Sequence, residues 1–329
     1  MIIDHESASA PETMRAVIHE SFGAPEVLQM SRVPRPTPLP TEVLVRVHAI
    51  GLNPVDWKTR AGNGVPGVLT PPLILGWDVS GVVEAVGHGV HLWKPGDEVF
   101  GMPWFPRAAC GYAEFLTAPS RHFALKPAAL DHVHAAALPL AALTAWQALV
   151  DAAGVQEGQR VLIHAASGGV GHVAVQIARH LGAWVAGTAS SDTHAWLYAL
   201  GANALVDDAT ASFESVVGDV DVVVDLIGGS RPDIAVRSLS VMRAGGTLVT
   251  VAPGASADVV TQAQRRGARV QPFLVEPDGV ALARIGALID DGELAVYVRE
   301  VFGFEEIATA HRRGEAGHLR GKLVVDLCR

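Results

Sequence analysis

The sequence predicts an α/β protein: a strand-rich segment followed by a doubly wound parallel sheet. Three observations predict it. Up to about Ala137 the chain carries short apolar strands separated by Gly and Pro. From Leu138 Ala-rich helices alternate with short apolar strands, the pattern of a parallel sheet with helices on both faces. At 158–181 an apolar strand runs into a glycine turn and then a helix.

In chain order, Arg15–His19, Glu42–Ile50, Val79–Val86 and Phe115–Thr117 read as strands. Pro34, Pro36, Pro38 and Pro40 make an extended connector, because each proline fixes its own φ and drives its predecessor out of the helical region. The parallel-sheet strands are Arg160–His164, Trp184–Thr188, Ala204–Val206, Val220–Leu226, Thr247–Val251 and Arg269–Gln271. After Pro272 come a helix at Val280–Asp290, a strand near Val296–Phe302, a helix at Phe304–Gly314 and a closing strand at Lys322–Leu327.

Composition narrows the function. A chain of 329 residues suggests two domains, and 49% hydrophobic against 18% charged residues allows a large core. A net charge of −9 argues against a nucleic-acid or anionic-membrane partner. Two cysteines, Cys110 and Cys328, cannot build a disulfide framework, which suggests a reducing, cytoplasmic setting. The longest apolar stretch, around Ala135–Leu149, is too short and too interrupted to span a bilayer. Residues 1–13 carry Asp4, Glu6 and Glu12 without a basic run and read as a flexible tail.

The glycine turn reads Ala165-Ala166-Ser167-Gly168-Gly169-Val170-Gly171. Gly168 lets the backbone approach a pyrophosphate, Gly171 lets the helix pack on the strand, and the helix N-terminus offers free N–H groups to phosphates. Ala166 stands where the first glycine of a dinucleotide fingerprint would be. At the end of the second strand Gly187-Thr-Ala-Ser-Ser191 has no acid for a ribose 2′-OH. Ser190 and Ser191 can donate to a 2′-phosphate, and His194 is the nearest substitute for the expected cation. The reading favours NADP (NADPH) over NAD.

Six motifs stand in one order: Gly51-Leu-Asn-Pro-Val-Asp56, Gly76-Trp-Asp-Val-Ser-Gly-Val-Val83, Lys94-Pro-Gly-Asp-Glu-Val99, Leu138-Pro-Leu-Ala-Ala-Leu-Thr-Ala-Trp146, the glycine turn, and Arg320-Gly-Lys322. Together they resemble the zinc-free quinone oxidoreductase branch of the medium-chain dehydrogenase/reductase superfamily. The resemblance implies a GroES-like catalytic domain from 14–137 and 272–329, with a Rossmann domain, 138–271, inserted between its halves. It also implies hydride transfer from NADPH to a quinone or enone, in a homodimer. Zinc-dependent relatives place Cys, His and Cys where this chain has Asn53, Trp77 and Leu140, so no metal is expected.

Without a metal, hydrogen bonds must meet the charge that develops on the substrate oxygen. Asn53 is the first choice, because the resembled branch has an Asn by the nicotinamide; an Asx turn before Pro54 is the alternative. Asp56 either orients Asn53 or caps the short helix. Asp78 holds either a site role or a structural hydrogen bond. For the cofactor, the resemblance adds Thr144, otherwise a core hydroxyl, and Asp225, otherwise a turn former. It also adds Val251, Ala252 and Pro253 at the carboxamide and Phe273 and Leu274 beside it. Lys322 is the last candidate, with a solvated charge as its alternative. Trp57 and Trp104 are candidate pocket walls, and Tyr112 and His122 candidate proton donors by type alone. Two rival functions remain open: a zinc-free alcohol or ketone reductase, and an NADPH-binding sensor that has lost catalysis.

Overall fold

A computed structural model describes residues 12–207, 209–228, 231, 233–251, 255–317 and 319–329. Six parallel strands form one sheet in the spatial order Ala204–Val206, Trp184–Thr188, Arg160–Ile163, Val220–Asp225, Met242–Thr250 and Arg269–Pro272. Numbered along the chain, that order is 3-2-1-4-5-6, the doubly wound Rossmann arrangement. The central strands are apolar without alternation: Val161, Leu162, Ile163, Val222, Val223 and Val224 are all buried, because helices cover both faces. Strand order reverses between Arg160–Ile163 and Val220–Asp225, so ligands are expected at that crevice.

The second large sheet runs Val298–Gly303, Lys322–Asp326, Glu42–Leu52, Asp78–Val86, Glu98–Gly101 and Phe123–Leu125, with Phe115–Pro119 paired to the first half of Glu42–Leu52. This is the GroES-like, β-rich part. The chain's C-terminal strands therefore share a sheet with its N-terminal ones. Register then places three strand ends together. Gly51 lies opposite Asp78, and Leu52 lies opposite Leu323. Asn53, Asp78 and Lys322 are brought to one point by backbone pairing, from positions far apart in the sequence.

A third, small sheet pairs Thr13–His19 with Gln29–Pro34 and with Leu73–Ile74. Thr13 already pairs with Pro34, and Glu12 accepts from the Arg35 backbone, so the expected tail over 1–13 is tied down at its last two residues. The sequence reading missed Gln29–Pro34, Leu73–Ile74, Glu98–Gly101 and Phe123–Leu125. These strands are short and lack alternation, and partner strands supply what their own pattern does not. The expected helix at Phe304–Gly314 starts as a 3₁₀ turn, Phe304–Glu306, and becomes α-helical at Ile307–Glu315.

Candidate active site

Asn53, Asp78 and Lys322 form a buried triad between the two large sheets. Asn53 Nδ2 donates to Asp78 Oδ2 at 2.9 Å, and Lys322 Nζ donates to Asn53 Oδ1. Lys322 Nζ lies 3.5 Å from Asp78 Oδ2, and Asp78 Oδ1 accepts the Leu140 backbone N–H at 2.7 Å. An ammonium can only donate and a carboxylate only accept, so the Asn53 amide has one orientation, with its second Nδ2 proton uncommitted to either partner. Lys322 is only 4% exposed, which replaces the solvated-charge alternative with a buried ion pair. Burial raises the proton affinity of Asp78 despite the opposing pull of Lys322, Asn53 and Leu140. Burial likewise lowers that of Lys322, against the pull of Asp78 and Asp56.

Asp56 holds Asn53 from behind: its Oδ2 accepts the Asn53 backbone N–H at 2.7 Å, across the first turn of the helix Pro54–Arg60. The two readings of Asp56, orienting Asn53 and capping the helix, describe one bond. Full burial pushes the Asp56 carboxyl up to about 8, and its Oδ1 has no hydrogen-bond partner.

The helix Gly171–His180 starts at the glycine turn and buries Val173, Ala174, Val175, Ile177 and Ala178. Each large aliphatic side chain among these stabilises the layer by about 1.5–3 kcal/mol. Ala166 is buried, and a Cβ at Gly168 would meet only Ala165 O, at 3.2 Å. That open approach, at a helix N-terminus, fits a dinucleotide pyrophosphate. At Gly171 a Cβ would stand 2.3 Å from Ala165 O and 2.7 Å from Ala166 Cα. Gly171→Val is therefore expected to lose about 1–3 kcal/mol of stability and to weaken dinucleotide binding, checked by thermal unfolding and fluorescence titration. Ser167 O accepts Gly321 N–H at 3.1 Å, and the Lys322 stem lies against Gly169, so the closing strand is docked on the turn.

The other candidates are spread along the same sheet edge. Thr144 is buried in the helix Pro139–Trp146, which packs on Gly171–His180. Ser190 and Ser191 are exposed, and His194 Nε2 bonds to Ala189 O at 2.9 Å. Asp207, which the sequence reading passed over, accepts the Ser191 N–H at 3.3 Å. Asp225 Oδ1 accepts from Ile227 and Gly228 N–H, at 2.9 and 3.1 Å, so this oxygen forms its own turn. Val251 and Phe273 are half-buried and Leu274 is exposed. Ala252 and Pro253 lie outside the described residues.

A cavity of about 540 Å³, lined mostly by apolar side chains, has Trp77, the chain neighbour of Asp78, in its wall. The loop Gly62–Thr70, Phe22, Thr59 and Pro106 complete its walls. Trp57 and Trp104 are not among them: Trp57 packs on Gly314 and His311, and Trp104 Nε1 donates to Thr117 O at 2.9 Å. His122 accepts the Trp104 backbone N–H at 3.2 Å, and the Tyr112 hydroxyl is bonded to His311 at 2.9 Å.

The residues do not fit zinc. Trp77 Nε1 donates to Arg107 O at 2.7 Å and has no lone pair to offer, Asn53 is committed to the triad, and Leu140 contributes only its N–H. Among the described residues no group of three or more His, Cys, Asp or Glu is placed to hold a metal. His132 is half-buried and bonded to Ser80 Oγ and Glu98. Cys110 and Cys328 are free, and burial pushes the Cys110 thiol up, the reverse of what a nucleophile needs. Among the described residues no helix is long and apolar enough to cross a membrane.

Comparisons with known proteins agree with this fold. Residues 39–128 match the alcohol dehydrogenase GroES-like domain, and 200–325 match a zinc-binding dehydrogenase domain. The mitochondrial NAD(P)H oxidoreductase RTN4IP1 of Danio rerio is 32% identical over 98% of this chain and 93% of its own length. The chloroplastic NADPH-dependent alkenal/one oxidoreductase of Arabidopsis thaliana is 32% identical over 97% and 81%. The structure of the quinone oxidoreductase from Coxiella burnetii superposes with a TM-score of 0.89, at 37% identity, covering 96% of this chain and all of that one.

Proposed function

Because the chain belongs to the quinone oxidoreductase branch of the medium-chain dehydrogenase/reductase superfamily, we propose that it reduces a quinone or an α,β-unsaturated carbonyl with NADPH and without zinc. The observation that carries this is the Asn53 amide, fixed between Lys322 and Asp78. Such substrates need little activation beyond hydrogen bonds to the oxygen that gains charge. When bound, the dinucleotide supplies the hydride. Ala166 to Gly171 would hold its pyrophosphate, Ser190, Ser191 and His194 its adenosine end, and Thr144, Asp225, Val251, Ala252, Pro253, Phe273 and Leu274 its nicotinamide end. Asn53 offers its free Nδ2 proton to the substrate oxygen. Lys322 adds a positive field, and Asp78 keeps both groups in place. The substrate gains a hydride and one proton, and the proton comes from solvent.

The division into 14–137 with 272–329 against 138–271 is part of this proposal, and the two sheet memberships support it. A homodimer and a cytoplasmic setting are proposed with it, the latter on the two free thiols. One observation favours NADH as a second reading: Asp207 stands at Ser191, and an acid there suits a free ribose 2′-OH.

One experiment separates these readings. Purified protein is titrated with NADPH and NADH by fluorescence, then mixed with quinones, enones and ketones while cofactor absorbance is followed. We expect tighter NADPH binding and oxidation with quinones or enones. A reversed affinity order establishes the NADH reading, and turnover of ketones alone the ketone reductase. Binding without oxidation by any acceptor leaves a sensor.

A further inference from the structure

Behind the triad a row of polar groups, buried except for Glu315 at its outer end, leads away from the site, and the proposed function does not use it. Arg60, 2% exposed, bonds Glu315 through Nη2 at 2.5 Å, Gly23 O through Nε at 3.0 Å, and His311 Nδ1 through Nη1 at 3.3 Å. His311 Nε2 meets the Tyr112 hydroxyl at 2.9 Å. Tyr112 in turn faces Asp56: contact with the phenol draws the Asp56 carboxyl down, and Asp56 helps push the phenol up. Asp56 Oδ1, fully buried, has no hydrogen-bond partner.

The chemistry of these groups gives the row a direction. A guanidinium only donates, so His311 Nδ1 accepts and the ring's proton sits on Nε2. That N–H then fills an acceptor position of Tyr112, which leaves the phenol proton for Asp56. Burial with Arg60 beside it lowers His311 to about 3, so the ring stays neutral and its tautomer is set by Arg60. From Arg60 Nη1 through His311 and Tyr112 the donors run toward the carboxyl that holds the Asn53 backbone, while Arg60 also donates outward to Glu315 and Gly23 O.

We propose that Tyr112 and His311 are positioning residues for the reaction: the row Glu315–Arg60–His311–Tyr112 sets the charge carried by Asp56 and, through the Asn53 N–H, the placement of the Asn53 amide. The inference rests on the reductase reading above. Asp78 and Lys322 face Asp56 from their strands, Arg60 and Asp78 face Tyr112, and Arg60 and His19 face His311.

The test compares wild type, Tyr112→Phe and Asp56→Asn by kcat against pH, by NADPH affinity, and by unfolding temperature against pH. Wild type is expected to show a limb in kcat where Asp56 ionises, near pH 8. Asp56→Asn removes that limb. Tyr112→Phe removes a contact that favours the carboxylate, so the limb moves up by roughly 0.5–1 pH unit, with NADPH affinity within about threefold of wild type. The unfolding temperature gives a reading that needs no turnover. An acid bound more tightly in the folded state makes stability fall as pH rises from the unfolded value toward about 8. Wild type should therefore lose stability from pH 5 to 8, and Asp56→Asn should lose less. If no acceptor is reduced, the reductase reading fails while this slope still decides the charge of Asp56. A limb and a slope in Asp56→Asn equal to wild type, or a limb unmoved in folded Tyr112→Phe, overturns the proposal. Should Tyr112→Phe not fold, His311→Gln takes its place, with a shifted limb expected and an unmoved one overturning the role of the row.

Discussion

Asn53→Ala is expected to lower kcat by about 10²–10³-fold, the usual cost of one lost donor at a developing oxyanion, while NADPH affinity stays within about threefold. The reason is geometric. The amide nitrogen gives one proton to Asp78, and the oxygen accepts from Lys322, so the remaining proton has a fixed direction before any substrate arrives. Alanine deletes that donor and leaves Lys322 paired to Asp78 at 3.5 Å. In the proposed reading the dinucleotide is held mainly by the glycine turn, which Asn53 does not touch in the described contacts. Steady-state kinetics with one enone, together with a fluorescence titration of NADPH, checks the split. Equal losses in kcat and affinity would move Asn53 to a cofactor-holding role.

Lys322→Met is expected to destabilise the fold by about 3–5 kcal/mol, because it leaves a buried carboxylate without its cation. Asp78 is fully buried and Lys322 nearly so. The loss depends on pH in a definite direction. With Lys322 gone, the opposing pull on Asp78 weakens and its already raised proton affinity rises further. A group that binds its proton more tightly in the folded state stabilises at low pH and ceases to do so as pH rises. The variant should thus approach wild-type stability near pH 5 and fall furthest behind above pH 8. Chemical denaturation at both pH values measures this. A deficit independent of pH would show that Lys322 contributes through packing and not through Asp78.

Much of the fold was legible because it rests on local pattern. The unbroken apolar runs Val161–Ile163 and Val222–Val224 can lie only in a sheet covered on both faces. The spacing from Gly168 to Ile177 announces a turn feeding a helix. Short strands such as Glu98–Gly101 and Phe123–Leu125 were not legible, since their partners and not their composition make them strands.

The site divides along the same line. Sequence by itself determined which side chains are present, including a glycine turn without a second-strand acid; the family resemblance set Asn53, Trp77 and Leu140 where zinc-dependent relatives carry metal-binding side chains. Only the tertiary structure decided which of these groups act together. Lys322 reads as a solvated charge until the register of three strands carries it to Asn53 and Asp78. Asp207 means little until the end of a neighbouring strand sets it against Ser191. Arg60, Tyr112 and His311 are ordinary residues until burial strips them of water and joins each to the next. Local sequence encodes the period and the turn; sheet pairing between distant segments, and the loss of solvent it brings, assigns the neighbours.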